Sequence, residues 1–106
     1  MEEGGLRFSE NISIANPPLV SVITVVYNSE QLIERTLRSV ANQTIKNIEH
    51  VIIDGASKDQ TLAKVKSFSN GVAYWLSEKD HGIYDAMNKG IEKANGEYLI
   101  FLNSGD

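Results

Sequence analysis

The sequence has no cysteine and only two prolines, Pro17 and Pro18. Without cysteine, disulfides and thiolate metal sites are excluded, and so is the small secreted scaffold that depends on cross-links. A reducing compartment fits that composition. Long apolar runs are also missing. The longest, Val22–Val26, Val51–Ile53 and Tyr98–Leu102, fall far short of the ~20 residues that a membrane-spanning helix needs. Basic side chains are in the minority, with 10 Lys and Arg against 14 Asp and Glu and a formal charge of −4. No basic surface is therefore available by default to grip a nucleic-acid backbone, and nucleic acid is not an expected partner. An anionic ligand must be held locally, by backbone N–H groups, a helix terminus or a metal.

What remains is ordinary in amount: 106 residues, 42% hydrophobic and 23% charged, bound the chain to one small domain. Residues 1–18 lack an apolar period and carry Glu2, Glu3, Gly4, Gly5 and Glu10, so they read as an N-terminal tail. A signal peptide would need a basic start and an uninterrupted apolar stretch, and neither is there. Beyond the two prolines, Val20 to Tyr27 is β-branched and nearly continuous in hydrophobicity, the pattern of a strand buried on both faces. Asn28-Ser29 reads as a turn with Ser29 as N-cap, and Ile33, Leu37, Val40 and Ala41 then recur at helical spacing.

The alternation continues. Ile48–Asp54 is a second strand, Gln60–Phe68 a short helix, Val72–Leu76 a third strand, and 83–94 a helix with Ile83, Met87, Ile91 and Ala94 along its inner side. Glu97–Leu102 is a fourth, buried strand. Strands alternating with helices predict an α/β fold, a three-layer α/β/α arrangement around a mainly parallel sheet. In such sheets the ligand sits beyond the carboxyl ends of the strands, where the strand order reverses. The polar residues at those ends are the ones to read.

Asp54 ends a strand, where a carboxylate either accepts N–H groups of the following turn or faces a ligand. Asp59, two residues before Thr61, reads as a helix-capping acid. Tyr27 either closes the core or offers its ring to a flat ligand such as a base. After the third strand, Asp80 to Gly90 is dense in polar groups. On a helix beginning near Ile83, the residues Asp85, Asn88 and Lys89 share a face distinct from the apolar stripe, with an Asp85–Lys89 pair at i,i+4 spacing. The last residues, Asn103 to Asp106, form an acidic turn, and a divalent cation on a diphosphate needs only one or two protein carboxylates.

In this order the pieces resemble the amino-terminal half of an inverting glycosyltransferase of family 2, GT-A type. The resemblance covers residues 19–106. It rests on VSVITVVYN (20–28), LRSVANQT (37–44), IDGASKDQT (53–61), GIYDAMNKG (82–90) and GEYLIFLNSGD (96–106). It implies a GT-A, Rossmann-like fold, cut short here after the fourth strand. It also implies a nucleotide-diphosphate sugar as donor, a divalent cation (Mg or Mn) as cofactor, and a glycan or lipid-linked acceptor in polysaccharide biosynthesis. Carried over by position, Tyr27 lies against the base, Asp54 and Ser57 line the base pocket, Asn28 belongs to the nucleotide-sugar site, and Asp106 holds the metal.

The family commonly has a second acid where this chain has Gly55, and acids where it has Asn103 and Gly105. Asp80, Asp85 or Asn88 is expected to compensate, with Asn103 retained as a donor contact. The carboxylate that serves as catalytic base is expected after residue 106, where further protein would follow. A cytoplasmic protein, peripheral at the inner face of the membrane, is the matching expectation, with self-association through an exposed sheet edge. Two other readings stand beside this one. A receiver-type signalling domain needs an acidic cluster after its first strand, and Tyr27-Asn28-Ser29 does not supply one. A non-catalytic nucleotide-binding or assembly module is the alternative that so short a chain leaves open.

Overall fold

The computed structural model describes residues 1–8, 18–43, 47–68 and 71–103. Within them the elements run β1 (Glu2–Gly4), a 3₁₀ turn (Leu6–Phe8), β2 (Val20–Val26), α1 (Ile33–Ala41) and β3 (Ile48–Asp54). They continue with α2 (Thr61–Ser67), β4 (Tyr74–Ser77), α3 (Ile83–Lys93) and β5 (Tyr98–Phe101). The strands form one sheet in the order β1-β4-β3-β2-β5, in which only the β1–β4 pairing is antiparallel. From β2 the chain steps outward to β3 and β4, then returns to place β5 on the other side of β2. Right-handed crossovers require the covering helix to change face when that direction reverses. Accordingly, α1 and α2 pack on one face with Val26, Ile52 and Trp75, and α3 packs on the other with Ile23, Val51 and Ile53. The expected three-layer arrangement is present.

Two helices differ in detail from the periodicity reading. In α1 the inward set is Ile33, Thr36, Leu37 and Val40, while Ala41 is exposed. Ser29 precedes the helix by a turn, its carbonyl accepting the N–H groups of Leu32 and Ile33, and no side chain caps the helix. In α3 the expected stripe faces inward only in part: Met87 is half-buried and Ala94 packs on the core, but Ile83 and Ile91 are exposed, and the buried positions are Ala86 and Gly90. The helix lies too close to the sheet for anything larger, since a Cβ on Gly90 would stand 2.4 Å from Ile23 Cγ2.

The tail expected over residues 1–18 is corrected at its start. Glu2, Glu3 and Gly4 pair with Ser77, Leu76 and Trp75, so β1 completes one edge of the sheet. Its sequence shows no apolar alternation because backbone pairing and polar contacts hold it, not burial. Tyr74 donates its hydroxyl to Glu3, Lys66 pairs with Glu2 at 3.3 Å, and Arg7 pairs with the buried Glu49 at 2.7 Å. The glycines that looked like tail are close-approach positions. A Cβ on Gly4 would meet the Trp75 ring at 2.8 Å, and Gly5 takes φ +109° against the Ala73 carbonyl.

At the opposite edge, β5 is not the buried strand its composition suggests. All four of its residues are exposed, because α3 covers β2 and β3 and leaves the outer strand bare.

Buried beneath α1 and α2, His50 sits with Nε2 2.7 Å from Thr24 Oγ1, while Nδ1 finds no partner among the described residues. Burial pushes its pKa from the ordinary 6.5 down to about 4. The native state therefore excludes the proton that the unfolded chain binds below pH 6.5, so the His50 contribution falls as pH drops from 6.5 to 4. Thermal or urea unfolding is expected to show a loss on the order of 3 kcal/mol across that window. His50→Gln, which keeps a hydrogen-bonding group but does not titrate, is expected to flatten the profile relative to the parent. Gly90→Ala is expected to lower stability by about 1–2 kcal/mol, overpacking against Ile23 outweighing the better helix propensity of alanine. Ile23→Leu, which removes the β-branch, should recover part of that loss in the same unfolding assay.

Candidate functional site

The carboxyl ends of β2 and β3 converge beside the start of α3, and between them lies a pocket of about 610 Å³. Its walls are Val25, Val26 and Tyr27 from the end of β2, the Gly55-Ala56 turn after β3, and Gly82, Ile83 and Ala86 at the start of α3. Lys58, Lys79 and Asp80 stand around it. Tyr27 is 55% exposed, as a residue offering a stacking platform must be and a core-closing one is not. Two lysines against one carboxylate give the lining a local positive balance in a chain that is acidic overall. An anion is thus accommodated without a basic surface.

The turn after β3 is shaped by Asp54, which is fully buried. Its Oδ1 accepts the Ser57 hydroxyl at 2.5 Å, and its Oδ2 accepts the Ser57 backbone N–H at 3.0 Å and the Ser77 hydroxyl at 2.7 Å. The Ser57 Oγ in turn accepts the Asn28 N–H at 2.8 Å, and Asn28 Oδ1 accepts the Lys58 N–H at 2.8 Å. Asp54 therefore faces away from the pocket and binds the ends of β3 and β4 and the turn into one unit. Asn28 and Ser57 belong to the same framework and are absent from the lining. Asn28 and Ala56 both adopt positive φ, 48° and 61°, which turns the chain sharply at the pocket mouth.

Asp59 stands one residue before the N-cap Gln60 of α2, outside its first turn, and its Oδ1 accepts the Thr61 N–H at 2.9 Å and the Thr61 hydroxyl at 2.6 Å. Burial opposes its ionisation, and these Thr61 hydrogen bonds overcome that to hold its pKa below the ordinary value.

On the α3 side, Lys89 gathers the acids. Its Nζ lies 2.9 Å from Asp80, 3.1 Å from Glu78 and 3.4 Å from Asp85. Partial burial lowers the pKa of this ammonium, but hydrogen bonds to Asp80 and Glu78 and the Asp80 charge outweigh it and hold Lys89 above the ordinary lysine range. The His81 N–H donates to Asp85 at 3.0 Å and is the main cause of a lowered Asp85 pKa. Asp85 thus closes the first turn of α3 and, with the exposed Asn88, lies outside the lining.

Of the residues singled out from sequence, Tyr27 and Asp80 reach the pocket. Asn28, Asp54 and Ser57 frame it, and Asp85 and Asn88 flank it. Asn103 is exposed beyond β5. Asp106 lies outside the described residues. Sequence reasoning passed over Lys58 and Lys79, whose signal was their place in the turns that follow β3 and β4.

The model of glycosyl transferase family 2 matches residues 21–106. The chain belongs to that family. Among relatives of this family 2 chain, an uncharacterized glycosyltransferase of Mycobacterium tuberculosis is 46% identical over 94 residues, covering 88% of this chain and 36% of the relative. The mannosyltransferase PcManGT of Pyrobaculum calidifontis, solved with GDP-Man and Mn²⁺, superposes with a TM-score of 0.78 at 27% identity, covering 84% of this chain and 28% of that one. S. aureus TarS 1-349 in complex with UDP-GlcNAc superposes with a TM-score of 0.74 at 33% identity, covering 82% and 26%. The family 2 chain spans about a third of the length of the curated relatives it matches.

Removing the Asp54 carboxylate leaves Ser57 and Ser77 with unmet buried donors. Asp54→Ala is expected to lower stability by about 3 kcal/mol, and Asp85→Ala, at a partly exposed position, by no more than about 0.5 kcal/mol. Urea unfolding of the two variants checks the contrast.

Proposed function

We propose that the pocket at the ends of β2 and β3 binds the nucleoside diphosphate of a sugar donor. The chain then provides the donor-binding part of an inverting glycosyltransferase acting on a glycan or lipid-linked acceptor in polysaccharide biosynthesis. The observation that carries this reading is the composition of the pocket: an exposed aromatic ring, a side-chain-free approach at Gly55, and two lysines, Lys58 and Lys79, on the same rim. A base stacks on Tyr27, and the lysines offset the diphosphate charge. The solved neighbours that carry GDP-Man with Mn²⁺ and UDP-GlcNAc support the ligand class.

Among the described residues no group of three or more His, Cys, Asp and Glu side chains is placed to hold a metal ion. A cation that arrives on a diphosphate needs few protein ligands, because phosphate oxygens and water complete its shell. Asp106 is the carboxylate assigned to it, and Mg²⁺ or Mn²⁺ so held would offset the leaving group's charge. A lipid-linked acceptor would be met at the cytoplasmic face of the membrane, which is the location this reading carries.

Titration calorimetry with nucleoside diphosphates in the presence of Mn²⁺ tests the proposal. Binding is expected for the parent chain, and Tyr27→Ala should weaken it by about tenfold, in line with ~1–3 kcal/mol for a stacked base. Lys58→Ala together with Lys79→Ala should weaken it further and reduce its salt dependence. Undiminished affinity in all these variants would remove the pocket from consideration.

A further inference from the structure

Among the lining residues described, Asp80 alone bears a carboxylate, and its two oxygens are in different situations. Oδ1 accepts from Lys89 Nζ at 2.9 Å. Oδ2 receives no hydrogen bond from the described residues and lies 2.8 Å from the point where a Cβ on residue 55 would stand. That same point is 3.5 Å from Cδ1 of the Tyr27 ring. One unpaired carboxylate oxygen, one exposed ring and a bare stretch of backbone therefore meet in a single corner of the pocket. A side chain on residue 55 would meet the Asp80 carboxylate where Lys89 holds it.

The orientation of Asp80 is fixed by its partner. Besides Asp80, Lys89 Nζ reaches Glu78 at 3.1 Å, Asp85 at 3.4 Å and the Lys79 carbonyl at 3.1 Å. Those acceptors lie on the strand-to-helix loop and on α3 itself, so the ammonium is held from several directions. With Oδ1 already engaged by the ammonium, Oδ2 is the oxygen left wholly open to a ligand.

Resting on the nucleotide reading above, we infer that Asp80, positioned by Lys89, selects the base, and that it favours a uracil-type edge. Uracil and thymine present one N–H donor at N3 between two carbonyls, which matches one available acceptor oxygen. Guanine presents adjacent N1–H and N2–H donors that suit a carboxylate with both oxygens free. Adenine and cytosine turn a ring-nitrogen acceptor toward the same place, where a carboxylate repels it. Sites built to accept a specific N–H discriminate strongly against ligands that lack it. Asp80 is thus a specificity-determining contact, and Lys89 is a positioning residue that acts through it.

The test is calorimetry on the full chain with Mn²⁺, using UDP, dTDP, GDP, ADP, CDP and the N3-methyl derivative of UDP. UDP and dTDP are expected to bind at least tenfold more tightly than the other three natural nucleotides, and N3-methylation of UDP is expected to cost at least tenfold. In Asp80→Ala, UDP and its N3-methyl derivative should bind within twofold of each other, an equality that a merely structural role for Asp80 would not produce. Lys89→Met should narrow the UDP to GDP ratio and Lys89→Arg should restore it, with melting temperature confirming that each variant is folded. GDP binding as tightly as UDP in the parent chain, or a methylation penalty that persists in Asp80→Ala, overturns the base preference while leaving the nucleotide pocket standing. Failure of every nucleoside diphosphate to bind overturns the pocket reading and the base preference together.

Discussion

The geometry of the pocket depends on one buried carboxylate that does not face it. Asp54, at the carboxyl end of a central strand, holds Ser57 across the following turn and Ser77 on the neighbouring strand. Through Ser57 it fixes Asn28, and through Asn28 the backbone of Lys58. A carboxylate taken fully out of water is tolerated only when hydrogen bonds replace its hydration, and here three donors do so. The result is a rigid rim made from the ends of three consecutive parallel strand segments. Tyr27 and Gly55 are displayed on that rim, and Asp80 beside them is held by Lys89. A loop without such an anchor would leave the positive-φ positions Asn28 and Ala56 free to relax.

Charge is distributed with the same economy. The chain is acidic as a whole, yet its pocket is lined by two lysines and a single aspartate whose charge is balanced by Lys89. Around Lys89 the acids Glu78, Asp80 and Asp85 serve as ligands of one ammonium, so their number does not translate into a negative pocket. On the far side of the sheet, Glu49 is buried against Arg7 and Ser21 and accepts the Asn95 N–H at 2.6 Å. Glu49 thereby joins the N-terminal segment to the loop that leads into β5. The two ends of the sheet are thus built alike, each around a buried acid, but only the carboxyl end leaves groups available to a ligand.

Much of the fold was legible because the signals were local. β2 and β3 were readable from continuous β-branched runs, and the local contact of Asp59 with Thr61 from their spacing. What failed did so for tertiary reasons. β1 carries no hydrophobic pattern because an edge strand is held by its backbone, so Glu2-Glu3-Gly4 looks like tail in any window of sequence. α3 reads with its large residues inward, yet Gly90 and Ala86 are what the close approach to Ile23 allows. β5 has the composition of a core strand and the exposure of an edge, since which strand a helix covers is fixed by the crossover path.

The site divides in the same way. By itself the sequence determined the alternation of elements, the strand ends where polar residues collect, and five motif segments sufficient to indicate the family, because each depends on neighbours along the chain. Only the tertiary structure decided which of those polar residues face the ligand. Asp54 and Asp80 are both acids following strands, and nothing in their spacing separates them. Asp54 points toward α1 and α2, where serines enclose it, whereas Asp80 leans over Gly55 into the pocket. That distinction comes from the serines that enclose one carboxylate and the lysine on α3 that holds the other, and both sets of partners meet only once the strands have paired.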